Sequence, residues 1–444
     1  MKPKLTVSGY RGIWGTTLTE EIAREYIGAF AMLIKSRGGE VVYVARDGRE
    51  SGRALLEVAV DEILENGLDV IDLGMMATPV VPFLIRNEKA DGAVIITASH
   101  NPIEYNGLKF VTESGAFTTE SEVAEIESLR KSEKTKTTRP SHRKDGSHLF
   151  EKYLESVLKN IDVEKIRAKH FKAILDPINS VGCTTTPELF EKLGVSYALI
   201  NGDPTGIFAH EPEPLPKNLT SLQTLVRDVK AHVGFAQDPD GDRLVICDEN
   251  GNIPSEETML ALCVKAVMRK NAGDIVINLS TSNMSSDIAT EFGGKTFRSK
   301  VGEANVVEKM KSESTVVIGG EGGGGVIWPT ANMARDSYVG IALILELMAN
   351  ENKPLSEIIA TLPQYIMKKE KVAFSGNIEE IYTKIKTSFQ GAEANTLDGL
   401  RLDFPDRSWV HIRPSNTEPV LRIIAESKTL EHTQELIEIA KLAL

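Results

Sequence analysis

The sequence predicts an α/β fold: three similar α/β units with largely parallel sheets, followed by a smaller α+β domain. Three observations predict it. Apolar, β-branched runs without polar alternation recur along the chain, as strands covered on both faces require. Stretches of helical periodicity alternate with them. The order strand, helix, strand, helix, strand occurs three times, and each time it ends in a polar or glycine-rich loop.

In the first unit, "TEEIAREYIGAFAMLIKSRGG" places Ile22, Tyr26, Phe30 and Leu33 on one helical face, with Thr19 as N-cap and Gly38 and Gly39 as the stop. "EVVYVA" reads as a strand, "SGRALLEVAVDEILENG" as a helix, "DVIDLG" as a strand, "TPVVPFLIRNE" as a short helix and "GAVIIT" as a strand. The second unit runs through "FKAILDP", a helix around "PELFEKLG", "SYALIN", the helix "LTSLQTLVRDVKA" and "HVGFAQ" into "DPDGDR". The third runs through "DIVINLS", "MSSDIATEFGG", "KTFRS", "ANVVEKMKSE" and "TVVIGG" into "EGGGG". From about Val372, the strands "SWVHIR" and "VLRIIAES" and the helix "LEHTQELIEIAKLAL" form the small terminal domain. The domains are expected at 1–147, 148–249, 250–365 and 366–444. Residues 130 to 147, polar and basic without periodicity, read as a solvated linker.

Composition narrows the function classes. With 444 residues, 41% hydrophobic and 26% charged, the chain can bury several cores. A formal charge of -12 argues against a nucleic-acid partner, which a basic face would have to attract. No run approaches a membrane span and the opening "MKPKLTVSGYRG" has no apolar signal segment, so no membrane partner and a cytoplasmic location are expected. Cys183, Cys247 and Cys263 are widely spaced without a CxxC, which predicts buried reduced thiols.

Chemistry concentrates in four loops. "TASHNP" runs straight from an apolar strand into Thr97, Ser99, His100 and Asn101; these residues suit a capping turn as well as a reactive hydroxyl, and the nucleophile elbow G-x-S-x-G of a serine hydrolase is absent. "QDPDGDR" sets Asp238, Asp240 and Asp242 at alternating positions on what reads as a surface loop. Carboxylates about 5 Å apart repel by roughly 3 kcal/mol per pair at an effective dielectric of 20, so the cluster calls for a cation. All-oxygen ligands at this spacing suit Mg²⁺. Calcium is the alternative, since Glu249 falls at the twelfth position of an EF-hand count, but Arg243 stands where that loop needs glycine. In "GGEGGGG", backbone N–H groups are open to a ligand, and Glu321 would accept hydrogen bonds from sugar hydroxyls. "HIRPSNTEP" offers Arg413, Ser415, Asn416 and Thr417 as a phosphate cradle, with a plain strand-to-strand turn as the alternative. A metal site, a hydroxyl, a sugar acceptor and a phosphate anchor in one chain indicate phosphoryl transfer.

"TASHNPIEYNGLK", "DPDGDR", "GGEGGGG" and "RPSNTEP", in this order, resemble the four signature loops of the alpha-D-phosphohexomutase family. Supporting matches stand at "SGYRG", "VARDGRESG", "MMATP" and "GIFAHEPEPLPKNL". The resemblance implies three α/β domains with mostly parallel, mixed sheets and an α+β C-terminal domain around a central cleft. It further implies that Ser99 carries a phosphoryl group and that Asp238, Asp240 and Asp242, with the phosphoserine at Ser99, hold one Mg²⁺. Arg11, His100, Lys109 and Arg243 would surround the transferring group, with Lys109 moving the proton of the sugar hydroxyl. Glu321 and Gly323 would meet the sugar, and Arg413, Ser415, Asn416 and Thr417 the far phosphate. The implied reaction interconverts hexose 1- and 6-phosphates through a hexose 1,6-bisphosphate, on a monomer or homodimer. A non-catalytic sugar-phosphate sensor on the same scaffold is the alternative, against which the retained Ser99, aspartates and Lys109 speak.

Two departures from the family pattern bear on the substrate. Many members that use glucose or mannose phosphates carry Glu-x-Ser-Gly-His, whereas here Gly323 and Gly325 take the places of the hydroxyl and the imidazole. Glu303 stands in "KVGEAN" where some members have His, which leaves the second acid/base group open. The glycine-rich loop is similar to that of archaeal-type members acting on glucosamine or mannose/glucose phosphates.

Overall fold

The computed structural model describes residues 3–132, 139–374, 376–415 and 420–444. Contacts divide the chain into two compact units, residues 1–255 with 323–358, and residues 256–322 with 359–444.

The first unit holds two α/β sheets. One has the strand order Tyr10–Ile13, Tyr105–Thr112, Gly92–Ile96, Val41–Arg46, Asp69–Met75, Arg143–Asp145. Only Tyr105–Thr112 runs against its neighbours. The helices Glu20–Ser36 and Ser51–Glu65 follow the sequence pattern, and the hydroxyl of Thr19 accepts from the N–H of Ile22 as N-cap. Phe30 stacks on Phe110 at 4.7 Å between helix and sheet. Two strands here lay outside the expected pattern, Tyr10–Ile13 and Tyr105–Thr112, and they bring Arg11 and Lys109 into the sheet. Residues 143 to 145 correct the linker reading: they add an edge strand parallel to Val70–Asp72, while residues 133 to 138 lie outside the described residues.

The second sheet has the order Leu244–Asp248, Val233–Gln237, Lys172–Asp176, Ser196–Leu199, and only Leu244–Asp248 is antiparallel. It forms a hairpin with Val233–Gln237, and the tip of the hairpin is the aspartate loop. An apolar helix, Ser337–Glu351, is buried over nearly its whole length, so it is a core helix with no polar face. Its N-cap Asp336 accepts from the N–H groups of Tyr338 and Val339 and from Tyr153 Oη at 2.7 Å, and Tyr153 and Tyr338 pack edge to face at 5.9 Å.

In the second unit the strands Asp274–Asn278, Thr296–Ser299 and Val316–Glu321 are parallel, with helices Glu257–Lys270, Asn283–Glu291 and Glu303–Ser312. The C-terminal part is a five-stranded antiparallel sheet, Ile366–Ala373, Val420–Ser427, Trp409–Pro414, Leu400–Asp403, Glu393–Asn395, with helices Ile378–Ser388 and Leu430–Leu442. Buried Ile385, Leu400, Ile412, Leu421, Ile423 and Leu436 form its core. Mixed α/β sheets and an α+β terminal domain are thus the fold. The three cysteines are free and buried, and among the described residues no helix is long and apolar enough to cross a membrane.

Candidate active site

Ser99 follows the fully buried strand Gly92–Ile96 and is itself 1% exposed. Its φ is +50°, a left-handed conformation that non-glycine residues hold only when their surroundings enforce it. Here they do. The N–H of Ser99 donates to Thr97 Oγ1 at 2.8 Å, and Thr97 Oγ1 donates to Asp47 at 2.7 Å. Asp47 pairs with Arg49, whose fully buried guanidinium donates to the carbonyls of Ser99, Asn101, Pro102 and Tyr105. Neither Asp47 nor Arg49 was singled out from the sequence, although "VARDGRESG" contains both. Four carbonyls converging on one guanidinium fix the loop that presents the hydroxyl.

The aspartate loop is gripped in the same way. Ser180 Oγ donates to the carbonyl of Pro239, Thr78 N to that of Asp240 and Ser337 Oγ to that of Gly241. One carboxylate oxygen each of Asp238, Asp240 and Asp242 lies within 4.8 Å of the others. All three side chains are at most 1% exposed, which corrects the reading of a surface loop. Each carboxylate is held by a protein group. Ser99 Oγ donates to Asp238 Oδ2 at 3.1 Å, and Lys109 Nζ and Thr78 Oγ1 donate to Asp240 Oδ2 at 2.7 and 2.8 Å. The Arg335 guanidinium donates to Asp242 Oδ2. The remaining oxygens of Asp240 and Asp242, both Oδ1, are buried without a hydrogen-bond partner among the described residues. Two carboxylate oxygens that accept no hydrogen bond, inside a buried acidic triad, fit a hard divalent cation. Glu249 is not brought to this cluster. It lies beyond the strand Leu244–Asp248, where Ser356 binds its carboxylate, so no EF-hand loop forms.

Around Ser99 the cations expected from the sequence come together. His100 Nδ1 is 3.3 Å from Ser99 Oγ, and burial, with the charges of Arg243 and Arg11, pushes its pKa down to about 2, so the imidazole is neutral. Arg11 donates to Asn101 Oδ1 at 2.9 Å, while its Nε and that of Arg243 are buried without a hydrogen-bond partner among the described residues. Burial raises the pKa of Asp238, helped by the charges of Asp242 and Asp240. Burial also opposes ionisation of Asp240, but the Lys109 ammonium and the Lys109 and Thr78 hydrogen bonds outweigh it and lower its pKa. Lys109, Arg11, Arg243 and Arg335 thus face three carboxylates, an excess of cations that suits a phosphoryl dianion.

Arg335 is another residue the sequence reading missed, and the glycine-rich loop explains its place. A Cβ on Gly325 would lie 2.5 Å from Arg335 Cδ. The arginine stem therefore fills the space beside residue 325 and reaches Asp242. Gly323 and Gly324, at φ +85° and +89°, form the turn before it. Gly325→His is expected to destabilise the protein by about 1–3 kcal/mol through overpacking. In a double-mutant cycle with Arg335→Ala, chemical denaturation should show a coupling of at least about 1 kcal/mol. Additive effects would mean that the two residues do not share this space.

In the second unit, Glu321 ends the strand Val316–Glu321 and is 7% exposed. Its Oε1 accepts from Asn278 Nδ2 at 2.8 Å and from Gly302 N at 2.7 Å. Thr281 Oγ1 donates to Asn278 Oδ1 and accepts from Gly322 N, so the sugar loop is tied to the loop after Asp274–Asn278. Arg413 stands directly opposite Arg422 on antiparallel strands, and Nε of each is buried without a hydrogen-bond partner among the described residues. Like charges facing across a ladder are unfavourable unless an anion joins them, so Arg422 belongs with the phosphate cradle although the sequence did not mark it. Burial lowers the pKa of Arg413, with Asp398, Arg422 and Glu321 close enough to act on its charge. Ser415 N donates to the carbonyl of Val420 at 2.9 Å; Asn416 and Thr417 lie outside the described residues. Glu303 opens the helix Glu303–Ser312.

Comparison with known proteins agrees along the whole chain. Residues 2–137, 151–251 and 255–365 match the phosphoglucomutase/phosphomannomutase alpha/beta/alpha domain I, II and III families, and residues 367–441 match the C-terminal domain family. A phosphoglucomutase/phosphomannomutase of Thermococcus kodakarensis is 36% identical over 97% of this chain and 96% of its own length. A phosphoglucosamine/phosphogalactosamine mutase of Sulfurisphaera tokodaii is 33% identical over 95% of this chain and 94% of its own. The crystal structure of a phosphoglucomutase/phosphomannomutase family protein from Burkholderia thailandensis superposes with a TM-score of 0.88 at 27% identity, covering 98% of this chain and 96% of that one. With its serine and aspartate loops built as above and relatives matching end to end, the chain belongs to the phosphoglucomutase/phosphomannomutase family.

Proposed function

We propose that the protein interconverts the 1- and 6-phosphates of glucosamine, mannose or glucose, with Ser99 carrying the phosphoryl group between turnovers and a hexose 1,6-bisphosphate as intermediate. The observation that carries this reading is the setting of Ser99 Oγ, 3.1 Å from Asp238, in a site whose carboxylate oxygens on Asp240 and Asp242 and guanidinium Nε atoms on Arg11 and Arg243 have no hydrogen-bond partner among the described residues.

In the first half-reaction the P–O bond to Ser99 breaks as a P–O bond to the free sugar hydroxyl forms. Lys109 accepts the hydroxyl proton as its ammonium releases one towards the leaving Ser99 Oγ, so its charge is unchanged over the step, and Arg11 and Arg243 hold the transferring oxygens. In the second half-reaction the other phosphate of the bisphosphate returns to Ser99. Mg²⁺, held by Asp238, Asp240 and Asp242, supplies positive charge to the phosphoryl oxygens when bound. Neutral His100 donates or accepts beside Ser99 without adding charge. Glu321, fixed by Asn278 and Gly302, accepts sugar hydroxyls in either orientation, with Gly323 lending its backbone N–H, and Arg413, Arg422, Ser415, Asn416 and Thr417 anchor the phosphate that is not reacting. Positioning and electrostatics supply most of the acceleration in such transfers. The relatives named for glucose, mannose and glucosamine phosphates support the substrate range.

Assays of glucosamine, glucose and mannose phosphates with Mg²⁺ and trace bisphosphate test the reading, and isomerisation of none of them would sink it. Arg413→Lys tests the anchor. Lysine keeps the charge but loses the planar fork, so about 1.5–3 kcal/mol of charge-assisted bonding is at stake, roughly 10- to 100-fold in kcat/KM. The loss should be equal for every hexose phosphate, because the anchor touches phosphate in both orientations. Glu321→Gln should instead change the ratio between sugars. A strong shift of sugar preference in Arg413→Lys would remove Arg413 from the cradle.

A further inference from the structure

A cavity of about 490 Å³ lies in the first unit at the amino ends of the strands Lys172–Asp176 and Val233–Gln237, away from Ser99. The aspartate loop is at the other end of the same hairpin. His232 precedes Val233–Gln237 and Glu249 follows Leu244–Asp248, and both line the cavity, whereas Asp238 to Arg243 form the tip. Five extended residues separate the two ends, about 17 Å at some 3.3 Å per residue. A ligand here cannot be the hexose phosphate reacting at Ser99.

The lining has two chemistries. Phe171, Ala231 and Met348 are buried and give an apolar floor. Lys169, Arg227, Lys230 and Lys353 are cations around it. Arg227, Lys230 and Lys353 have no carboxylate partner among the described residues, and Lys169 donates to the neutral Asn352 Oδ1. Glu249 is the only acid in the lining, and its carboxylate is taken up by Ser356 N and Oγ. His232 packs edge to face on Phe171 at 5.7 Å, and its Nδ1 accepts from Lys172 N at 2.9 Å. That bond leaves the proton of the neutral ring on Nε2, an additional donor. Four cations gathered in a chain of net charge -12 select for an anion. Their spread around an apolar, aromatic floor selects for one with several charges and a planar body, in a cavity of the size that binds metabolites.

We propose that this cavity binds a nucleoside di- or triphosphate, its base on the Phe171 floor and its phosphates among Lys169, Arg227, Lys230 and Lys353. A simpler role for the cations is compensation of helix ends, since Arg227 is in the last turn of Thr220–Asp228 and Lys353 follows Ser337–Glu351. The two roles differ in what they bind.

Isothermal titration of the full chain with ADP, pyrophosphate and adenosine separates them, and the result does not depend on mutase activity. The expected result is one ADP per chain, at least tenfold weaker pyrophosphate, weaker adenosine still, and an ADP affinity that falls with salt. Arg227→Glu with Lys230→Glu should lower ADP affinity at least tenfold while leaving nucleotide-free isomerase turnover unchanged. Asp240→Asn should leave ADP affinity unchanged. No ADP binding, or binding that the double charge reversal does not weaken, would show that the cations serve only the helix ends. Pyrophosphate binding as tightly as ADP would remove the base from the proposal and overturn it in that form.

Discussion

Ser99→Ala is expected to lower isomerase turnover by about 10⁴-fold or more, the scale seen when a covalent nucleophile is removed. Among the described residues no other hydroxyl is presented as this one is: buried, held at φ +50° by Thr97 and the Arg49 clamp, and 3.1 Å from a member of the acidic triad. Alanine meets the same backbone requirement as serine, and Asp47, Arg49 and Thr97 keep their bonds to one another and to the loop, so the fold should persist. Binding of a hexose 6-phosphate should persist too, because Glu321 and Arg413 are untouched. The expected pattern is therefore lost turnover with retained calorimetric binding. Peptide mapping of the wild-type protein should place a phosphate on Ser99 in part of the molecules, because a mutase must hold one phosphate between turnovers. Residual turnover near wild type in Ser99→Ala, or a phosphate that maps elsewhere with a bisphosphate unable to load Ser99, would dismiss the assigned nucleophile.

The parts of this site that the sequence revealed are those whose chemistry is local. Asp238, Asp240 and Asp242 crowd within five residues, and Ser99 sits at the mouth of an apolar strand, so spacing alone marked both loops. What stayed hidden depends on pairing across the fold. Arg11 and Lys109 are reached through the family resemblance and not by spacing: they lie on strands that pair with each other, Arg11 opposite Gly107, with Lys109 opposite Ile95 on the other side, and neither strand shows the long apolar run that betrays Gly92–Ile96. Arg422 gains meaning only from the register that sets it against Arg413. Arg335 gains it from the missing Cβ of Gly325, a space that no periodicity reports. The helix Ser337–Glu351 escaped because it is apolar all round, and the edge strand Arg143–Asp145 because exposed strands need no hydrophobic face. Composition also misjudged the aspartate loop. Three carboxylates read as solvated, yet Lys109, Arg335, Thr78 and Ser99 replace the water.

That replacement sets the expected behaviour of Asp240→Asn. Metal-dependent turnover should fall by about 10³-fold or more, because one of the two unpartnered carboxylate oxygens and a full negative charge leave the cation site together. On a solvated loop the exchange would stabilise the metal-free protein by relieving repulsion. In the buried triad it also removes the partner of Lys109, 2.7 Å away. At an effective dielectric of 20, the two relieved repulsions total roughly 6 kcal/mol at about 5 Å, and the lost attraction at about 3 Å is of similar size. Lys109 retains Asp242 at 3.8 Å, and the amide oxygen of asparagine can still accept from Lys109 and Thr78. The metal-free variant should therefore unfold within about 1 kcal/mol of wild type, since these terms nearly cancel. Magnesium separates the two proteins. At a hundred times its dissociation constant it should stabilise the wild type by about 2.7 kcal/mol, and at the same concentration the variant should gain almost nothing. Denaturation with and without Mg²⁺ reads both quantities, and turnover of Asp240→Asn that survives a chelator undiminished would rule out the aspartate triad as the metal site.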